Sequence, residues 1–170
     1  IGVVMPEEMR DLHTHDDIRT AIDGKATKYG MLNHPLIIVV NVLDDFCDDD
    51  DIWNALFGGE QMVVIRQGVG QFRHEWGHRA ANGALRGRGG ARNRLASAIS
   101  VTHQLSPSTL RSRAVDLIHN PWAVNPLPVA ALPIPQITIS VPDGQLHRHD
   151  GIHHADLLGI PDAWPVQDRD

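Results

Sequence analysis

The five residues His74-Glu75-Trp76-Gly77-His78 match H-E-x-x-H letter for letter. On a helix, histidines four apart share one face and can grip a zinc ion, with the glutamate between them as general base. That chemistry would make the chain a zinc-dependent hydrolase, with His74 and His78 as metal ligands and Glu75 catalytic. Both imidazoles reach one metal only through the helical i, i+4 relation. Here GVGQ precedes the motif, ANGALRGRGG follows it and Gly77 lies inside it, so a helix is poorly supported. A third protein ligand is also required. The longer spacing H-E-x-x-H-x-x-G-x-x-H fails, because Ala81 stands where the glycine belongs and Ala84 where the histidine belongs. No glutamate follows Glu75, which leaves His103, Asp116 or His119 to complete a site from neighbouring segments. The competing reading is a chance match in a chain of 11 histidines, within an arginine-rich loop anchored by Trp76. These requirements together favour the chance match, so no cofactor is expected, and zinc only under the hydrolase reading.

The other histidine groups are weaker. His13-Thr14-His15, followed by Asp16 and Asp17, has the H-x-H spacing of amidohydrolase-like metal sites, but lies in a helical pattern rather than at a strand end. His147-Arg148-His149-Asp150 with His153 and His154 misses the H-x-H-x-D-H pattern, because its aspartate comes one place early. The run Asp48 to Asp51 lacks the spaced acids and glycine of a calcium loop and reads as acids at a helix N-terminus. Neither G-x-S-x-G, a P-loop nor G-x-G-x-x-G after a strand occurs. Cys47, set among aspartates, is a poor nucleophile, because nearby negative charge disfavours its thiolate.

Charge carries a second signal. The net charge of −6 conceals nine arginines against one acid, Glu75, between Arg66 and Arg113, while the remainder holds six basic residues and twenty acids. Such a block suggests a footprint for a polyanion. The glycine-spaced Arg86, Arg88, Arg92 and Arg94 can bring guanidinium and backbone groups close to phosphates, and Lys25 and Lys28 with Tyr29 can extend that face. Nucleic acid is therefore the expected partner. The alternative is internal neutralisation, with these arginines paired to the acids of residues 44–51.

Positioning these residues requires a scaffold. Residues 6–30 read as a helix opened by Pro6, Glu7 and Glu8 and stopped by Gly30. The run LIIVVNV (36–42) is apolar and β-branched, which predicts a central strand buried on both faces. A short helix over Ile52–Phe57 follows, then strands at 61–66, 95–103, 113–119 and 136–141, a helical turn at 106–110 and a short helix near 153–158. Residues 68–93 hold seven glycines and read as a long exposed loop; five prolines between Pro121 and Pro135 forbid a ladder and predict a surface arm anchored by Trp122.

The expected fold is α/β or α+β. It is one domain with a mixed sheet flanked by helices and a proline-rich arm. Residues 1–30 form the N-terminal helix, 36–119 the sheet core with the loop, and 120–170 the arm and C-terminal segment. A chain of 170 residues suits one core rather than two. Its longest apolar run, Leu36 to Val40, is far too short to span a bilayer, so no membrane partner is expected. One cysteine excludes an internal disulfide and suits a reducing, cytoplasmic setting. The chain opens on Ile1 rather than methionine, which leaves a C-terminal fragment or a processed form open.

Several stretches also carry a resemblance. GKATKYGMLNHPLIIVVNV (24–42), DIWNALFGGE (51–60), NGALRG with RNRLASAISV (82–101), LIHNPWAVNPLP (117–128) and LLGIPDAWP (157–165) resemble the C-terminal part of a family of uncharacterised bacterial proteins. That family runs K-x-x-K-Y-G, N-A-L-F-G, then H-N-P-W-A-x-x-P-L, and the resemblance covers about two-thirds of the chain. The helix-then-strand order is similar, at fold level, to the part of restriction-endonuclease-like proteins that follows the catalytic strand. No E-x-K or D-x-K strand stands in this chain. The kinship implies a nuclease-like or accessory domain that keeps the sheet and the basic surface without a complete catalytic centre. It also implies an upstream segment or partner chain to supply the missing part.

Overall fold

The computed structural model describes residues 14–165 except 46 and 142, and residue 76 by its backbone alone. Helix α1 spans Thr14–Ala26, and its Ile18, Ile22 and Ala26, each four apart, are buried as one stripe. It ends before the expected stop at Gly30, which instead takes a left-handed φ of +64° in the turn beyond. Strand β1 (Leu36–Val42) follows, then helix α2 (Asp49–Phe57). Asp48 caps α2: its carboxylate accepts from the Asp51 amide, while the Asp51 carboxylate accepts from the Asp48 amide. The acidic run is thus a helix start, as its composition predicts.

Strands β2 (Glu60–Gly68) and β3 (Gln71–Arg79) make an antiparallel hairpin turned at Gly70, whose φ of +79° suits glycine. A second, minimal hairpin joins β4 (Arg86–Gly87) to β5 (Gly90–Ala91). Residues 68–93 are therefore largely paired backbone rather than an open loop. Their signal is the alternation of Phe72, His74 and Trp76 with Arg73 and Glu75, a period of two that glycine and arginine content obscures.

The main sheet is completed by β6 (Ala96–His103), β7 (Leu117–His119), β8 (Gln136–Ile139) and β9 (Leu146–His149), with α3 (His154–Leu157) near the end of the described chain. Its order is β1-β6-β7-β8-β9, with β1 parallel to β6, β7 parallel to β8 and the other pairs antiparallel. This is the mixed sheet with flanking helices expected for the chain. Residues 107–112 form turns, in keeping with the helical turn expected at 106–110, whereas β7 starts at Leu117 rather than at 113.

The expected place of β1 is corrected as well. Strand β1 is not central and is not buried on both faces. Among the described residues it pairs only with β6, so it is the sheet's edge; Ile38, Val40 and Val42 face the core, whereas Val39 is 55% exposed. Strand β6, by contrast, is buried on both faces, as is the short β7, and the small Ala96, Ser97, Ala98 and Ser100 of β6 let covering segments approach closely. An apolar β-branched run reports strand propensity, but it does not report position in the sheet.

The proline-rich arm lies on the body as predicted. With few ladder bonds to make, it is stitched by side-chain amides. Asn120 donates to Ala96 O (2.8 Å), Asn125 to Leu32 O (2.6 Å) and Gln136 to Val129 O (2.7 Å). Trp122 is half-buried against the core, its ring 6.4 Å from that of Phe57.

Candidate functional site

HEWGH lies in strand β3, not in a helix. The two imidazoles therefore do not share a helical face, and each has its own neighbour. His74 Nδ1 is 3.3 Å from Met62 Sδ across the hairpin, and His78 Nε2 is 3.4 Å from Glu75 Oε2. Glu75 also receives Arg73 at 3.2 Å. The arrangement is an exposed ribbon surface, and the geometry that makes H-E-x-x-H a zinc motif is not what this strand builds.

Most of the other histidines within the described residues have their own separate polar partners. His15 faces Asp16 and Asp51, while His13 lies outside the described residues. His149 and His147 on β9 bond Thr138 on β8 and Ser140 just beyond it, each at 2.9 Å. His153 and His154 stack with ring centroids 4.3 Å apart and bond the carbonyls of Arg113 and Leu110. Among the described residues no group of three or more His, Cys, Asp or Glu side chains is placed to hold a metal ion. Cys47 behaves as expected: burial, then the charges of Asp51, Asp48, Asp44 and Asp49, push its thiol up to about 11.

The basic strip is positioned by the end of α2. Helix C-termini leave carbonyls unpaired, and here the segment after β3 satisfies them: Ala84 N–H donates to Ala55 O and Leu85 N–H to Leu56 O, both at 2.8 Å. Arg79 adds its guanidinium to Gly58 O (2.9 Å) and Asn54 Oδ1 (3.1 Å), a cation at the negative helix end. The approach is close enough that a Cβ on Gly83 would lie 2.5 Å from Gly58 N and Leu56 O.

On this clamped strip the arginines singled out by sequence divide into two pairs. Arg92 is tied inward, 3.1 Å from Asp23 of α1 and bonded to Gly83 O at 3.3 Å. Arg94 donates to Trp122 O at 3.0 Å and so holds the arm. Arg86 and Arg88 are exposed on the β4–β5 hairpin, with no ion pair among the described residues. The Arg92–Asp23 pair also brings the end of α1, with exposed Lys25, beside the strip; Lys28 lies 5.7 Å over the exposed Tyr29 ring. Internal neutralisation is thus real but partial, and its acid is Asp23 rather than the run 44–51.

Sequence reasoning missed a cleft of about 530 Å³ beside that hairpin. Trp53, Phe57 and Trp122 give it a wall of rings; Ile139, Val141 and Leu146 lie opposite, and Arg79 and Arg86 line it as well. Trp53 and Phe57 stack with centroids 5.8 Å apart, one helical turn apart on α2. The helix spacing of Trp53 and Phe57 was readable, but their meeting with Trp122 and with the β8–β9 turn depends on sheet order. A second, smaller cavity of about 250 Å³ lies beyond Trp53, lined among others by Asp48, Asp49, Asp116, His103 and Arg148. Among the described residues no helix is long and apolar enough to cross a membrane. None of the family models, curated proteins or solved structures compared with the chain matches it.

Proposed function

We propose that this chain is a nucleic-acid-binding domain that contacts phosphates through the β4–β5 hairpin. The observation that carries the reading is the pair Arg86 and Arg88, exposed and without carboxylate partners among the described residues, on a turn rich in glycine. Gly89 and Gly90 have nothing within 4 Å of an added Cβ, so the turn's backbone can approach a phosphate closely. Lys25 and Lys28 extend the positive surface, whereas Arg92 and Arg94 act by holding the strip in place. The fold-level resemblance to restriction-endonuclease-like proteins would be in keeping with an accessory part of a nucleic-acid enzyme whose catalytic residues come from an upstream segment or partner chain.

Fluorescence anisotropy with labelled DNA and RNA at low salt tests the reading. The double variant Arg86→Gln, Arg88→Gln should bind at least about tenfold more weakly with an unchanged melting temperature, since lost phosphate contacts weaken affinity without touching the core. Arg92→Ala should instead lower the melting temperature. Wild-type protein that ignores both DNA and RNA ends the proposal.

A further inference from the structure

The basic hairpin lines the aromatic cleft with Arg86, Gly90 and Ala91, and of these Arg86, exposed on the hairpin, carries the charge. Behind it the rings of Trp53, Phe57 and Trp122 form a continuous wall, with successive centroids 5.8 and 6.4 Å apart. Phe57 is largely buried, while Trp53 and Trp122 are each half-exposed and can offer a flat face. The facing Ile139 and Leu146, paired across β8 and β9, supply apolar area and no charge. A volume of about 530 Å³ falls in the range of sites that enclose a small organic group.

A ligand matched to this site has a planar ring to lie against indole and an anion to meet an unpaired guanidinium. A phosphate alone leaves the rings unused, and an aliphatic chain leaves Arg86 unused. Duplex DNA or RNA also fits poorly, because its bases are stacked and paired away from any such cleft. An unpaired nucleotide satisfies both halves, since every base has a π-face and every nucleotide a phosphate.

We infer that the Trp53–Phe57–Trp122 cleft takes an unpaired base, with Arg86 on its phosphate, so that the chain prefers single-stranded over double-stranded nucleic acid. This rests on the basic hairpin as the phosphate contact. The cleft adds what the hairpin alone lacks, a reason to discriminate strandedness. Trp53 is the residue on which discrimination turns, because it belongs to α2 and does not anchor the arm.

The test compares a labelled single-stranded 12-mer, the same 12-mer in duplex, and a free nucleoside monophosphate, on wild type and on Trp53→Leu. Wild type should bind the single strand at least about tenfold more tightly than the duplex, because one stacked base is worth roughly that factor or more. Trp53→Leu should remove most of the difference and leave duplex binding unchanged. The single strand should also quench the tryptophan emission of unmodified protein, a readout that survives if Trp53→Leu fails to fold. Quenching by the free monophosphate as well would place recognition in the single nucleotide; quenching by the strand alone would show that flanking phosphates are needed. Equal binding of strand and duplex, without quenching, overturns the cleft and leaves the hairpin standing. Failure of wild type to bind either form overturns the hairpin, and the cleft inference with it.

Discussion

Arg88 and Arg92 stand four residues apart and do different work. Arg92 joins Asp23 and Gly83 O and fixes the strip to α1, while Arg88 faces solvent with no carboxylate partner among the described residues. Sequence shows both as arginines of one glycine-rich stretch, and only the fold separates them. Ser100 is a second residue whose role the sequence does not show. It is 2% exposed on β6, and its hydroxyl has no hydrogen-bond partner among the described residues. A buried hydroxyl without a partner is a cost that the rest of the core offsets. Ser100→Ala should therefore leave stability unchanged or raise it by about 1 kcal/mol, as read from a denaturant midpoint. A loss of more than about 1 kcal/mol would show that the hydroxyl has a partner after all. Trp122 shows the opposite case. It packs on Phe57, and its backbone carbonyl receives Arg94, so Trp122→Ala should destabilise by roughly 3 kcal/mol and free the arm to proteolysis. A variant with an unaltered melting curve would remove Trp122 from that role.

At the scale of elements, strand and helix types were legible wherever a single periodicity ruled. The stripe Ile18, Ile22, Ala26 and the capping run before α2 follow from local chemistry, and so do the strands over 36–42, 61–66, 95–103 and 136–141. What was not legible depends on partners far away in sequence. Strand β1 reads as central because Ile and Val are apolar, yet its neighbour β6, sixty residues on, leaves it at the edge. Strand β9 was hidden behind histidines that looked like metal ligands and proved to bond the hydroxyls of Thr138 on β8 and Ser140 beside it. Strand β3, the hairpin partner of β2, was hidden by the glycine content of residues 68–93. The edge position makes a sharp prediction. Ile38→Asp, at 3% exposure, should abolish cooperative folding, because an unpaired buried carboxylate costs several kcal/mol, on the order of the whole stability. Val39→Asp, one residue along and exposed, should stay within about 1 kcal/mol of wild type. If both variants unfold, or both fold normally, the one-sided burial of β1 is wrong.

Over the whole molecule, the excess of arginine between residues 66 and 113 is only partly consumed by the fold. Arg73, Arg79, Arg92 and Arg111 have acidic partners: Glu75, Glu60, Asp23, and Asp156 with Asp162, respectively. Arg66, Arg94 and Arg113 bond carbonyl or amide oxygens, and Arg86 and Arg88 have no carboxylate partner among the described residues, one beside the aromatic cleft and the other two residues along the same hairpin. A chain of net charge −6 needs such a local surface if it is to approach a polyanion at all. The most direct measurement is the salt dependence of single-strand binding by wild type and by the Arg86→Gln, Arg88→Gln double variant. Each lost phosphate contact should flatten the log–log slope by about 0.7 for a single strand, so the double variant should be flatter by about 1.4. A wild-type affinity indifferent to salt, or a double variant with an unchanged slope, would contradict the account.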